Sequence, residues 1–181
     1  VDSTGATAAT TASVQEDMVT LGTGSNLVLR TVDGSLTLNG GTASATSAVS
    51  ATGSILLQTQ EATEDTGAAL TINAAIASTT TAISIIGADA VVLNHENADI
   101  STAAGSGVDV EAGAGLSMVD GAKISVAGAS SSNYVRLESK GGDLTIGEID
   151  TGTNGFVALI SSGSVLDLGT DTSAVDVTAQ K

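Results

Sequence analysis

The stretch from Asn133 to Gly169 contains one unit of sequence written twice, and no other feature restricts the fold of this chain as strongly. Asn133-Tyr134-Val135-Arg136-Leu137 returns as Gly155-Phe156-Val157-Ala158-Leu159. Gly142-Asp143-Leu144-Thr145-Ile146 returns as Gly163-Ser164-Val165-Leu166-Asp167-Leu168. Val135 and Val157 lie 22 residues apart, as do Leu144 and Leu166, and as do Tyr134 and Phe156, which are the only Tyr and Phe of the chain. Each element is an apolar-x-apolar step of strand period, bounded by Gly, Ser, Asn and Asp, which favour turns. A short, fixed repeat built of such strands points to a solenoid.

The same spacing can be laid along the rest of the chain. One series of apolar steps falls at Leu27, Val49, Leu70, Val91, Leu116, Val135 and Val157. A second falls at Leu36, Ile55, Ile76, Ile100, Ile124, Leu144 and Leu166, and both average close to 22 residues. A third step is visible at Ile83 with Ile85, at Val108 with Val110, and at Ile149. Three short strands per 22-residue unit predict an all-β chain, a parallel β-helix in which each unit closes one coil. About seven coils spaced by ~4.8 Å would make a rod of roughly 35 Å. The expected core ladder is Leu116, Met118, Ile124, Val126, Val135, Leu137, Leu144, Ile146, Val157, Leu159, Leu166 and Leu168, all facing one interior. Residues 1–20, rich in Thr, Ala, Ser and Gly without alternation, read as a lead-in or linker, and 21–181 as a single β-helix segment. Small-residue stretches at 42–52 and 74–81 read as wide corners or small-residue strands. Glycines such as Gly34, Gly121 and Gly142 precede the apolar steps, where a corner needs unusual backbone angles.

Composition supports this reading. Apolar residues make up 41% of the chain, yet Pro, Cys and Trp are absent. A sandwich or barrel fills its centre largely with aromatic rings that bury ~150–250 Å² each; this chain has only aliphatic ladders to offer. The formal charge of −15, from 20 acidic and 5 basic side chains, excludes nucleic acid and anionic lipid as partners, because phosphate neutralisation needs Lys and Arg. No apolar run approaches the ~20 residues of a membrane helix, so no membrane insertion is expected. The lack of Cys fits bacterial secreted proteins and argues against a disulfide-stapled domain.

Gly34-Ser35-Leu36-Thr37-Leu38, Gly53-Ser54-Ile55-Leu56-Leu57 and the two units described above carry a resemblance. From about Leu27 to Val177 the chain resembles the right-handed parallel β-helix shafts of bacterial surface proteins: filamentous-haemagglutinin-type adhesins, autotransporter passenger domains and giant β-strand-repeat proteins. The resemblance implies shaft alone, without an export or anchoring part. It implies a secreted protein at the cell surface, a structural filament segment without catalytic residues. Such a segment would assemble axially, by self-association or by adjoining coils of a longer chain. The alternative is a glycan-binding or glycan-cleaving β-helix, with a cell-surface glycan as partner.

For glycan cleavage the residues to consider are Asp143, Glu148 and Asp150 with Lys140, since hydrolysis and elimination need convergent carboxylates with a base or cation. Solvated turns explain them equally well, and no catalytic or cofactor-binding residue is expected. His95, in Asn94-His95-Glu96-Asn97, reads as a polar corner. Glu61, Glu64 and Asp65 form an acidic corner that would hold Ca²⁺ only weakly. Tyr134 and Phe156, one unit apart, should stack in one column, as a core or surface ladder by default and as a sugar platform in the alternative reading.

Overall fold

The computed structural model of the 181-residue chain describes residues 6–9, 13–15, 17–20, 22–41, 46–62, 67–167, 169 and 175–180. Among these residues there is no helix, and the strands form three seven-stranded sheets, parallel throughout. Sheet one is β1 (Ala6–Ala9), β4 (Leu27–Thr31), β7 (Ile55–Gln58), β10 (Ile83–Gly87), β13 (Gly107–Ala112), β16 (Tyr134–Ser139) and β19 (Phe156–Ser161). Sheet two is β2 (Ser13–Gln15), β5 (Leu36–Leu38), β8 (Leu70–Ile72), β11 (Val91–Leu93), β14 (Leu116–Met118), β17 (Leu144–Ile146) and β20 (Val165–Asp167). Sheet three is β3 (Met18–Val19), β6 (Ser47–Ala51), β9 (Ala75–Ser78), β12 (Ile100–Thr102), β15 (Lys123–Val126), β18 (Glu148–Asp150) and β21 (Val177–Thr178). Each strand pairs with the strands three before and three after it, so each coil adds one strand to each sheet. The fold is a parallel β-solenoid.

The strands form where small apolar-x-apolar steps can put one side inward and the other outward. In sheet one the inward columns are Leu27-Ile55-Ile83-Val108-Val135 and Leu29-Leu57-Ile85-Val110-Leu137, all at most 1% exposed. Sheet three adds Val49-Ile76-Ile100-Ile124-Ile149. Full burial of each such side chain stabilises the fold by roughly 1.5–3 kcal/mol. Within the small-residue stretches lie strands β6 and β9, where Val49 and Ile76 are buried together with Ala48, Ala51 and Ser78, while Ser50, Ala75 and Ala77 are half-buried. Corners take glycine where the backbone turns left-handed, at Gly34 (φ 91°) and Gly121 (φ 85°).

Three expectations need correction. The coil averages about 25 residues per turn and is longer than the sequence repeat suggests. Its length also varies: in sheet two the step between paired residues is short from Leu70 to Val91 and much longer from Leu36 to Leu70. The two sequence series consequently cross between sheets. Leu27 belongs to sheet one, Val49 to sheet three and Leu70 to sheet two. The cause is corner length: between sheets one and two the chain uses residues 59–69 in one coil and only Ala88–Ala90 in the next, while backbone pairing forces the strands back into register.

Next, the described residues of 1–20 are not a bare lead-in, because β1, β2 and β3 pair in parallel with β4, β5 and β6. Ala and Thr suffice there because pairing uses the backbone. Finally, Leu144 lies opposite Val165 rather than Leu166. A one-residue slip exchanges the faces of a strand, so Leu166 is not a ladder residue and is 40% exposed. Of the remaining ladder, Leu116, Met118, Ile124, Val126, Val135, Leu137, Leu144 and Ile146 are buried, and Val157 and Leu159 pack half-buried against the core. Leu168 lies outside the described residues.

Candidate functional surfaces

Polar groups inside the solenoid are paired with backbone. Thr31 Oγ1 donates to the Gly34 carbonyl (2.7 Å), Thr59 Oγ1 to the Ala68 carbonyl (2.6 Å) and Ser139 Oγ to the Gly142 carbonyl (2.8 Å), each tying the end of a sheet-one strand to the corner that follows. Asn133, fully buried, accepts from the Gly105 N–H (2.7 Å) and donates to the Gly128 and Thr151 carbonyls (3.0 and 3.1 Å). Among the described residues no buried side-chain polar atom lacks a partner. These groups hold corners together and present no reactive atom to solvent.

One structural ladder escaped the sequence reading. Asn73 Nδ2 donates to Asn39 Oδ1 (2.7 Å), and Asn94 Nδ2 donates to Asn73 Oδ1 (3.1 Å), which forms an amide column along the rod. The signal was present in Leu36-Thr37-Leu38-Asn39, Leu70-Thr71-Ile72-Asn73 and Val91-Val92-Leu93-Asn94. It was hidden because the step from the first copy to the second is far longer than the step from the second to the third.

The outer surface carries cross-coil ion pairs. Arg136 on β16 lies opposite Asp109 on β13 and bonds it at 2.8 Å, while its other nitrogen reaches Glu138. Glu111 and Glu138 face each other across the same pair of strands, a repulsive arrangement that Arg136 relieves at Glu138 and Lys140 at Glu111. In sheet three, Lys123 bonds Glu148 at 2.5 Å and approaches Asp150 at 3.6 Å. Hydrogen bonds to these carboxylates raise all three cations above their ordinary pKa: Asp109 is the main cause for Arg136, Glu148 for Lys123 and Glu111 for Lys140. Partial desolvation opposes the rise in each case.

The residues considered for catalysis are thus drawn apart. Asp143, in the corner before β17, accepts from the Ser164 N–H (2.7 Å); Glu148 and Asp150 engage Lys123 within sheet three; Lys140 engages Glu111. His95 sits in a corner with Nδ1 accepting from the Asn97 N–H (3.0 Å). Glu61 accepts from the Ala68 N–H (2.8 Å), whereas Glu64 and Asp65 lie outside the described residues. No group of three or more His, Cys, Asp or Glu side chains among the described residues is placed to hold a metal ion. Tyr134 and Phe156 lie in register and stack with centroids 5.9 Å apart and planes 20° from parallel, on the outer face of sheet one, with Phe156 52% exposed.

Concavities among the described residues include two that carry charged side chains. A groove of about 500 Å³ crosses four coils where sheet one turns into sheet two. Its floor is Gly87, Ala88 and Gly113, and its walls carry Gln58, Gln60, Glu61, Glu111 and Lys140. It exists because the corners at Ala88 and Gly113 are short while the corner after β7 is long. A smaller cleft of about 60 Å³ gathers Asp120, Glu148, Asp167 and Asp176. Comparison with protein-family models, with curated proteins and with solved structures returned no match.

Proposed function

We propose that this chain is a structural shaft segment of a bacterial surface protein, an extracellular, non-catalytic rod that extends by adding coils along its axis. The observation that supports this reading most directly is the uninterrupted parallel pairing through all three sheets. It makes length a property of the backbone and leaves side chains free to vary on the outside. The amide column and the cross-coil ion pairs run in the same axial direction and resist separation of coils. The acidic surface keeps neighbouring rods apart sideways, so that growth is axial and is favoured by salt that screens the charge.

Electron microscopy and light scattering test the proposal. Unbranched end-to-end rods with an axial repeat of ~4.8 Å are expected. Absence of any end-to-end species, at every concentration and salt level, would overturn axial assembly.

The second reading, a glycan-binding β-helix, draws on the groove, where the amides of Gln58 and Gln60 can both donate to and accept from sugar hydroxyls. Titration with neutral oligosaccharides, against Gln58→Ala with Gln60→Ala, separates the two readings. Binding that the double variant abolishes would favour the glycan reading.

A further inference from the structure

The groove where sheet one turns into sheet two lies on interior coils, from β7 to β16, and its shape is set by the backbone. The Gly113 N–H donates to the Gly87 carbonyl and the Lys140 N–H to the Ala112 carbonyl, both at 2.9 Å, which places Ala88, Gly113 and Lys140 beside one another on successive coils. A Cβ on Gly113 would lie 1.9 Å from the Ala88 carbonyl oxygen, so a side chain fits there only if a coil moves. Gly87 is confined as well, with Val91 Cγ2 2.6 Å from where its Cβ would stand. The coils on either side carry long side chains at the same corner, Gln60 and Lys140. The groove therefore runs along the rod axis over the coils of β10 and β13 and ends on a polar side chain in each direction.

We propose that this groove binds a neutral oligosaccharide about three sugar rings long, lying parallel to the rod axis, with Gln58 and Gln60 holding one end and the Glu111–Lys140 pair clamping the other. The inference rests on the glycan reading above and adds the length, the direction and the second polar end of the ligand. The length follows from the coil spacing: Gln60 and Lys140 are three coil steps apart, about 14 Å at ~4.8 Å each. The volume of about 500 Å³ is that of an ordinary small-molecule site.

Neutrality follows from the charges that face the groove. Glu61 and Glu111 are acidic, Lys140 is bonded to Glu111, and the chain as a whole carries −15, so a polyanionic glycan is repelled. Glu61 is already engaged by the Ala68 N–H (2.8 Å) and Glu111 by Lys140, which leaves neither carboxylate in need of a cationic ligand. Hydroxyl groups suit both ends. A glutamine amide offers donors and an acceptor, and an ammonium has three donors, of which Glu111 takes one. The Glu111 carboxylate keeps further acceptor positions beside that ammonium, so together they can bind the two oxygens of a vicinal diol. Between the polar ends, half-buried Ile86 stands in register with Gln58 on one side and Glu111 on the other, and gives an apolar contact to the CH face of a ring.

Calorimetric titration of the full chain with neutral glucose- and mannose-based disaccharides, trisaccharides and hexasaccharides tests the site, with far-UV circular dichroism to verify folding. Ala88→Leu fills the floor, Lys140→Met removes the clamp, and Lys123→Met makes the same charge change in sheet three, away from the groove. Affinity should rise on the order of tenfold from disaccharide to trisaccharide and change little for the hexasaccharide, whose extra rings lie beyond the groove. Ala88→Leu should abolish binding and Lys140→Met weaken it on the order of tenfold, while Lys123→Met binds as wild type. Equal affinity for disaccharide and trisaccharide, or binding that Gln58→Ala with Gln60→Ala abolishes but Lys140→Met leaves unchanged, would overturn the axial site and leave the glycan reading standing. Tighter binding of uronic-acid or amino-sugar oligomers would overturn the neutral ligand class. No binding of any oligosaccharide to folded wild type would overturn the site and the glycan reading together.

Discussion

The coil that holds β16 and β17 and the coil that holds β19 and β20 are near-copies in sequence, yet they differ in everything that burial controls. Val135 and Leu137 are fully buried, while Val157 and Leu159, paired with them in register, are only partly so. Leu144 is 0% exposed and its partner Val165 is 47% exposed. The strands are equally regular in both coils. What differs is that, among the described residues, the first coil has a neighbour on each side and the second has one, so in a solenoid the core of each unit is built largely by the units next to it.

That contrast can be broken most forcefully with a charge. Val135→Asp would place an unpaired carboxylate between two coils, at a cost of several kcal/mol, and limited proteolysis should then cut around β16 first. Val157→Asp, which water can reach from the open side, should cost less than half as much by denaturant titration. Equal losses would mean that the last coil is covered in solution.

A cavity sharpens the same point at smaller amplitude. Leu137→Ala should destabilise by about 2–5 kcal/mol, as in other closed cores. Leu159→Ala should fall below that range, with the paired chemical-denaturation midpoints as the measurement.

The amide column offers a third comparison. Asn73 has amide neighbours on both sides and Asn94 on one. Asn73→Ala should therefore cost about 1–2 kcal/mol and Asn94→Ala about half of that, at roughly 0.5–1.5 kcal/mol per hydrogen bond. Hydrogen exchange of the corner amides at Asn39 and Asn73 would record the loss.

The smallest effect belongs to the ion pairs. Lys123 is raised above 10.5, chiefly by its hydrogen bond to Glu148. The stability it contributes is complete below its unfolded value of ~10.4 and is lost as pH climbs through the higher folded value. With a side chain 34% exposed, the pair should contribute no more than about 1 kcal/mol. Thermal unfolding of Lys123→Met should fall slightly below wild type at pH 8, and the difference should shrink as pH is raised above the ordinary lysine range.

Much of the architecture was legible because strand period and corner chemistry are local. Leu36-Thr37-Leu38 and Leu144-Thr145-Ile146 announce strands with one face in, and Gly34 and Gly121 announce left-handed corners. The coil length was not legible in the same way. The clearest repeat, from Val135 to Val157, happens to be among the shorter steps, and extending it misassigned Val49 and Leu70 to one column. The groove and the amide column were equally hidden, since both depend on which corners lie side by side rather than on any one of them.

The sequence by itself determined that this chain makes short strands, turns at glycine and has an aliphatic interior, because each of those follows from side chains acting over a few residues. Only the tertiary structure decided which strand lies beside which. Backbone hydrogen bonding between coils demands register whatever the length of the corner, so steps as unequal as Leu36 to Leu70 and Leu70 to Val91 arrive at the same column. It also decided that Val165 and Asp167 point inward in place of Leu166. The alternation in that segment favours the leucines, but pairing to Leu144 and Ile146 selects the other face.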